Sequence, residues 1–207
     1  MSDRATERTR RRYDRFARFY DRVEAWVEER LFAPWRRETL SQVSGKVLEI
    51  GVGTGKNLPY YPEGVELVGI DLSPKMLERA KARAERLGLK VTLLEMDAQE
   101  LFFPPATFDF VVGTFVLCSI PDPVRALREA GRVLKPGGRL IFLEHVLSRH
   151  PLIALWEHLH NPLTRSLFGF NVNRDTRGNL LKAGLVLERD EILGLVDVFR
   201  RFVCRVP

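Results

Sequence analysis

Between residues 46 and 145 the chain alternates short apolar runs with amphipathic stretches, and this restricts its fold more than any other feature. KVLEI, VELVGID, KVTLLEMD, FDFVVGTF and RLIFLEHV have the length and composition of buried strands. SPKMLERAKARAERLG opens on a Ser N-cap with Pro in its first turn, and it stops at Gly88, a residue suited to a C-terminal cap. DPVRALREAGRVLKPGG reads as a second helix, closed by a Pro-Gly-Gly turn. Strands joined through helices or single turns imply a parallel sheet with right-handed crossovers. Near the C-terminal end the pattern changes. LVLERDEI and DVFRRFVCRV are separated only by LGLV, too short for a crossover, so these two strands pair antiparallel. The expected architecture is α/β: a doubly wound, mostly parallel seven-stranded sheet with a C-terminal antiparallel hairpin.

A chain of 207 residues suits one domain. Its expected parts are N-terminal helices over 1–42, the alternating core over 45–145, an insertion with helical pieces over 149–183 and the hairpin over 185–207. Tyr13, Phe16, Tyr20, Val23, Val27 and Leu31 recur at helical spacing, and Pro34 should divide that stretch into two helices. No apolar run approaches the roughly 18 residues of a spanning helix, and the N-terminus lacks an apolar signal region. Cys118 and Cys204 lie in apolar surroundings without metal-ligand spacing, which reads as a reduced cytoplasmic protein with no metal site. The net charge is +6, and the first 22 residues hold eight arginines against four acids. That excess is either the solvated face of an amphipathic helix or a peripheral attraction to anionic headgroups at the inner membrane face. No recognition module points to nucleic acid.

The stretch VLEIGVGTGKN leaves the first strand with Gly51, Gly53 and Gly55 at alternate positions. The dinucleotide fingerprint is G-x-G-x-x-G, and here Lys56 stands where its third glycine would fall. Glu49 suits a cationic ligand, such as an amino acid's ammonium group, better than a diphosphate. Asp71, ending the second strand, is placed to accept from two ribose hydroxyls, a role common to several nucleoside cofactors. Asp97 follows the third strand, where it and the Ala98 backbone are positioned to read an adenine amino group. The glycine loop alone is a weak signal.

Together with GTFVLCSI after the fourth strand and LKPGGRL before the fifth, these stretches resemble the class I S-adenosylmethionine (SAM)-dependent methyltransferases over about residues 45 to 145. The resemblance implies a Rossmann-like fold, SAM as methyl donor and S-adenosylhomocysteine as product. It implies cofactor contacts at Glu49, Gly51, Val52, Gly53, Thr54, Gly55 and Asn57 around the first turn, with the glycines approaching the methionine part. Asp71 and Leu72 would serve the ribose end, Asp97 and Ala98 the adenine, and Gly113 and Thr114 the methyl end. Met76 belongs to this set or packs in its helix core. Tyr20 resembles the tyrosine with which related enzymes cover the cofactor, and it fits an aromatic helix core equally well.

IDLSPKMLERAKARA and the run from FDFVVGTF to FLEHV resemble ubiquinone/menaquinone-biosynthesis methyltransferases, phosphatidylethanolamine N-methyltransferases and thiol-methylating methyltransferase-like proteins. The thiol group shares LCS, EHV and the stretch Arg174-Asp175-Thr176; where a cysteine is expected ahead of that arginine, this chain reads FNVNR. The implied acceptor is a small apolar or amphipathic molecule: a lipid amine, a quinone-like ring or a thiol. Trp26, Trp35, Leu155, Trp156, Phe168 and Phe170, outside the common core, agree with that. Ligands of open parallel sheets sit at the strands' carboxyl ends, which brings Gly113, Thr114 and Phe115 beside the methyl group and Glu144 and His145 nearby. His145 is the candidate base, or packs against the insertion; Glu144 is a second candidate, or a structural carboxylate. His158 and His160 read as surface residues, and Cys118 as a buried unreactive thiol. Two other functions compete: a SAM-binding partner protein without turnover, and a nicotinamide-dependent oxidoreductase, which the missing third glycine and the hairpin disfavour.

Overall fold

Seven strands form one sheet: β1 (Lys46–Ile50), β2 (Glu66–Asp71), β3 (Thr92–Glu95), β4 (Phe108–Thr114), β5 (Leu134–His145), β6 (Val186–Ile192) and β7 (Phe199–Arg205). Their spatial order is β3-β2-β1-β4-β5-β7-β6. The first five pair in parallel; β7 lies antiparallel to both β5 and β6. The expected sheet and hairpin are both present. The computed structural model describes residues 4–167, 169–194 and 196–207, with side chains except at 16–27, 29 and 167. The side chains of Tyr20 and Trp26, and Phe168, therefore lie outside the described residues.

Burial alternates along the strands because successive side chains point to opposite faces. Leu48, Val111, Leu140, Phe142 and Phe202 meet α4 (Pro123–Val133) and α6 (Thr176–Lys182) through Ala126, Leu127, Ala130 and Leu180. Val47, Val112, Ile141 and Val203 face the other way, toward Leu40 of α2 (Ala33–Leu40) and Ala84 of α3 (Pro74–Leu87). Helix α3 has the expected caps: Ser73 accepts from the Met76 N–H, and Gly88 is left-handed at φ +67°.

Two boundaries differ from expectation. Helix α1, over Arg4–Val27, lies within the stretch 1–42 expected to be helical. Its first turns are charged, and they are held by Glu7 pairing with Arg10 and Arg11 and by contacts to the sheet's edge. The break after α1 is a π-helical turn over Glu28–Phe32, and Pro34 sits in the first turn of α2, where a missing N–H costs nothing. The Lys135-Pro-Gly-Gly stretch is no helix-closing turn. Strand β5 runs through it, and its register against β4 jumps from Phe108↔Leu134 to Phe110↔Arg139, a bulge. A Cβ on Gly138 would lie 2.6 Å from the Asp109 carbonyl oxygen, so only glycine fits.

The remaining helix, α5 (Pro151–Leu167), precedes α6 in the segment between β5 and β6. No helix among the described residues is long and apolar enough to cross a membrane. Strand order reverses between β1 and β4, and the carboxyl edge at that point is where open α/β sheets form their crevice.

Candidate functional site

The chain leaves β1 through three left-handed glycines, Gly51 (φ +68°), Gly53 (φ +55°) and Gly55 (φ +78°). They differ in surroundings. A Cβ on Gly51 would overlap Val116, and one on Gly55 would lie 2.7 Å from Leu58 Cδ1 and 3.2 Å from Ala80 Cα. On Gly53 the nearest atom would be the Gly51 carbonyl oxygen at 3.9 Å, so that position faces open space. Two glycines let the turn pack; the third keeps a surface bare.

That surface belongs to a cleft of about 760 Å³, its open mouth included, within the usual size of small-molecule sites. Gly51 and Gly53 form one wall; Asp71, Leu72 and Met76 come from the end of β2 and from α3, and Asp97, Ala98 and Gln99 follow β3. Thr114, Phe115 and Val116 close the β4 end, and Thr9 and Tyr13 of α1 border the cleft from above. Helix α1 is tied down there: Thr6 Oγ1 donates to Asp97 Oδ2 at 3.3 Å, Ser73 Oγ donates to Asp14 Oδ1 at 2.6 Å, and the Tyr13 and Ser119 hydroxyls are hydrogen-bonded. The Asp71 carboxylate accepts from the Gly53 and Ser73 N–H groups, both at 2.9 Å, and burial pushes its pKa up to about 6.

Behind the turn lies a buried polar network. Glu49 accepts from Asn57 Nδ2 at 2.7 Å and from the Tyr61 hydroxyl at 2.8 Å, and burial raises it to about 7. Arg36 Nη1 donates to Asn57 Oδ1 at 2.8 Å and to Thr114 Oγ1 at 2.5 Å, while its Nε donates to Glu28 Oε1 at 2.6 Å. The network joins α2 to the carboxyl end of β4.

Of the residues singled out in the sequence, Gly51, Gly53, Asp71, Leu72, Met76, Asp97, Ala98 and Thr114 meet around the cleft. Glu49 and Asn57 stand in the network behind it; Val52 and Thr54 are buried inside the turn. Gly55 packs beneath it, and Gly113 lets β4 pass Phe142, whose ring atoms lie 2.8 Å from its missing Cβ. Met76 is both core and cleft wall. Thr9, Tyr13, Gln99, Ser119, Ile120 and Pro121 also line the cleft and were not foreseen. The spacing of Thr9 and Tyr13, four residues apart on one helix face, was an available signal.

The two candidate acid–base residues stand outside the cleft lining. Glu144 is fully buried, and its Oε1 accepts from the Val116 and Leu117 N–H groups at 3.0 and 3.1 Å, which fixes the loop after β4. Burial raises it to about 7. The His145 ring stands edge-on to Phe199 at 5.2 Å, with Nε2 3.8 Å from Glu157 Oε1, and burial lowers its pKa, leaving it neutral at neutral pH. His158 and His160 bond to Asn173 and to the Trp156 carbonyl at the surface. Phe115, left-handed at φ +54°, links the cleft to an aromatic cluster: its ring lies 4.7 Å from Phe32 and 6.2 Å from Phe199, and Trp35 lies 5.4 Å from Phe199. Among the described residues no cluster of His, Cys, Asp and Glu is arranged to hold a metal ion.

Two predictions follow from this burial. Cys118 and Cys204 are buried and their pKa values are pushed up to about 12, so neither should react with a thiol reagent at pH 8 until the chain unfolds. Stoichiometric labelling of the folded chain would contradict this. The second concerns pH. A carboxyl whose pKa is raised by folding holds its proton more tightly in the folded chain, so stability falls as pH rises past the unfolded value. For Glu49 and Glu144 the loss runs from about 4.5 to about 7, and for Asp71 from about 3.8 to about 6. Glu38, Asp109 and Glu129, held low by Arg201, Lys135 and Arg132, titrate beneath that window. His145, its pKa lowered by burial, works the other way as pH rises toward 6.5, but it is one group against three carboxyls. The urea midpoint of the ligand-free chain should therefore drop between pH 5 and pH 7.5; a rising midpoint would contradict the burial of the carboxyls.

Comparison with known proteins agrees with this geometry. Residues 48–142 match the family described as a methyltransferase domain. A phosphatidylethanolamine N-methyltransferase of Cereibacter sphaeroides is 43% identical over 126 residues, which cover 58% of this chain and 62% of that protein, so the match spans less than two thirds of that relative. A thiol S-methyltransferase of Rattus norvegicus is 33% identical over 174 residues, covering 81% of this chain and 70% of that one. The crystal structure of a SAM-dependent methyltransferase from Thermotoga maritima superposes with a TM-score of 0.70 at 25% identity, covering 94% of this chain and 98% of that one.

Proposed function

We propose, because this chain belongs to the SAM-dependent methyltransferase family, that its acceptor is a small lipophilic or amphipathic molecule: a lipid amine, a quinone-like ring or a thiol. It is an enzyme, and SAM is its cofactor, which excludes the nicotinamide reading. The residues present fit that cofactor: a bare glycine surface, an acceptor-only carboxylate at Asp71 and a second at Asp97 around one cleft. Bound there, SAM supplies an activated methyl group on a sulfonium. In this reading Asp71 grips the ribose hydroxyls, Asp97 and the Ala98 backbone read the adenine, and the glycine turn approaches the amino-acid end.

The observation that carries the acceptor reading is the change in chemistry along the cleft. Its donor end carries Asp71, Asp97 and Gln99, while at its β4 end stands Phe115, whose ring touches the cluster of Phe32, Phe199 and Trp35. Aromatic walls of this kind suit an apolar acceptor and exclude water from the reacting atoms. His145 is held neutral, the state a base requires, and stands behind Phe199 outside the cleft lining, so in this reading it acts on the acceptor only after a rearrangement. The inserted segment 149–183 would serve as a lid. On α5, Leu152 (72% exposed), Leu155, Trp156, Leu159 (70% exposed) and Leu163 form one apolar stripe turned outward. Such a stripe supports contact with a lipid surface, alongside the arginine-rich α1.

The test is a panel assay with methyl-labelled SAM, offering a lipid amine, a demethylated quinone and an alkyl thiol in detergent micelles, together with peptides and nucleic acids. Label is expected in a micelle-borne acceptor. Label confined to peptides or nucleic acids would overturn the reading.

A further inference from the structure

Four arginines converge on a second opening beside the cleft. Arg8 and Arg12 of α1, Arg165 of α5 and Arg174 between α5 and α6 line a pocket of about 740 Å³, its open mouth included. Among the described residues, no carboxylate lines it. We propose that this pocket binds a phosphate ester carried by the acceptor, so that the anion is anchored here while the reacting atom lies in the neighbouring cleft. The proposal rests on the amphipathic-acceptor reading above and narrows it to phosphate-bearing amphiphiles.

The charge here is uncompensated, whereas several arginines elsewhere in the chain face a carboxylate. Arg36 faces Glu28, Arg132 faces Glu129, Arg200 faces Asp190 and Arg201 faces Glu191. Among the described residues, Arg8, Arg12, Arg165 and Arg174 form no ion pair. Arg174 is oriented: its Nη2 donates to the Cys118 and Ile120 carbonyls at 3.1 and 3.0 Å, while its buried Nε finds no acceptor. Burial, reinforced by the neighbouring Arg165 charge, pulls its pKa below the ordinary value, a cost that a bound anion would relieve. Arg8 and Arg165 stand at the exposed rim, where water screens part of their repulsion, so the half-buried Arg12 and Arg174 are the side chains an anion would relieve most.

Position supplies the second argument. Thr9, Ser119, Ile120 and Pro121 line both the pocket and the cleft, so one ligand spans them. Guanidinium groups offer paired donors matched to phosphate oxygens, and several of them around one opening suit a phosphate better than a single carboxylate.

The experiment uses the full chain saturated with S-adenosylhomocysteine. Inorganic phosphate, glycerophosphoethanolamine, and vesicles of phosphatidylcholine with and without phosphatidylethanolamine are titrated into wild type, Arg12→Gln and Arg165→Gln. Each substitution should weaken the phosphate-bearing probes by about 10-fold, the scale of one charge-assisted hydrogen bond, and leave S-adenosylhomocysteine affinity unchanged. Binding of the soluble phosphodiester would support a pocket that reads the phosphate itself. Arginine-dependent binding of vesicles alone would support one that reads it on a lipid headgroup. Equal binding of every probe by wild type and both variants overturns the proposal. In a parallel transfer assay, a long-chain amine that carries no phosphate and a phosphoethanolamine lipid are compared in the same micelles. Equal methylation of both overturns the phosphate subsite and leaves the amphipathic-acceptor reading standing. Transfer to neither removes the lipid amine from that reading and leaves the quinone-like ring and the thiol to the panel assay, and the titration still decides the pocket.

Discussion

Gly53→Ala is expected to leave the chain folded and to weaken SAM binding by about 10- to 100-fold, the cost of forcing one methyl group into a close contact. The added Cβ would meet no protein atom nearer than the Gly51 carbonyl oxygen at 3.9 Å. Folding therefore loses only the strain of a left-handed alanine at φ +55°, about 1–2 kcal/mol. The same methyl group occupies the bare surface where the backbone must approach the ligand. Gly51→Ala makes the contrast, because its Cβ overlaps Val116 and should cost both stability and binding. Thermal unfolding and calorimetry on the two variants separate these effects. A Gly53→Ala chain that binds like wild type would mean that the ligand does not touch this turn.

Arg36→Ala should lower folding stability by about 3–5 kcal/mol, the usual result of removing one partner from a buried ion pair. Arg36 is only 5% exposed and joins Glu28, Asn57 and Thr114. Lys56, whose Nζ lies 3.3 Å from Glu28 Oε2, retains part of the charge balance and places the loss toward the lower end. Thr114 at the wall of the cleft and Asn57 behind it would each lose a donor, so ligand binding should weaken as well. Arg36→Lys should rescue little, since a single ammonium cannot serve three acceptors held by a planar fork. Urea denaturation measures the effect; a loss under about 1 kcal/mol, the scale of an exposed pair, would show that the network contributes no more than surface charges do.

The sheet was readable in the sequence because its signals are local: short, largely apolar runs in the parallel strands, Ser73 and Gly88 bounding α3, and a connection too short for any crossover between β6 and β7. The docking of the start of α1 was not, because Arg4 to Arg12 carry no apolar period. Their helix is held by Thr6 on Asp97 and Gln99, contacts more than 90 residues apart. The Pro-Gly-Gly stretch misled for a related reason: its residues are turn formers, but Gly138 serves a close approach to Asp109 within the sheet. At the site, Gly51, Gly53, Asp71 and Asp97 follow strand ends and could be placed from the strands alone. Arg36 and the four pocket arginines could not. They lie on α1, on α2, on α5 and between α5 and α6, and only the packing of those segments brings them to the cleft or the opening beside it.

The most direct measurement is a calorimetric titration of S-adenosylhomocysteine into wild type and Asp71→Ala. Asp71 ends β2 against the cleft, already accepting from Gly53 and Ser73, with a lone pair left on each oxygen for a ribose hydroxyl. Wild type should bind one equivalent, and Asp71→Ala should bind at least about 10-fold more weakly, since hydrogen bonds to a charged acceptor contribute about 1.5–3 kcal/mol. No binding to wild type, or equal affinity in both chains, would contradict the cleft as the cofactor site.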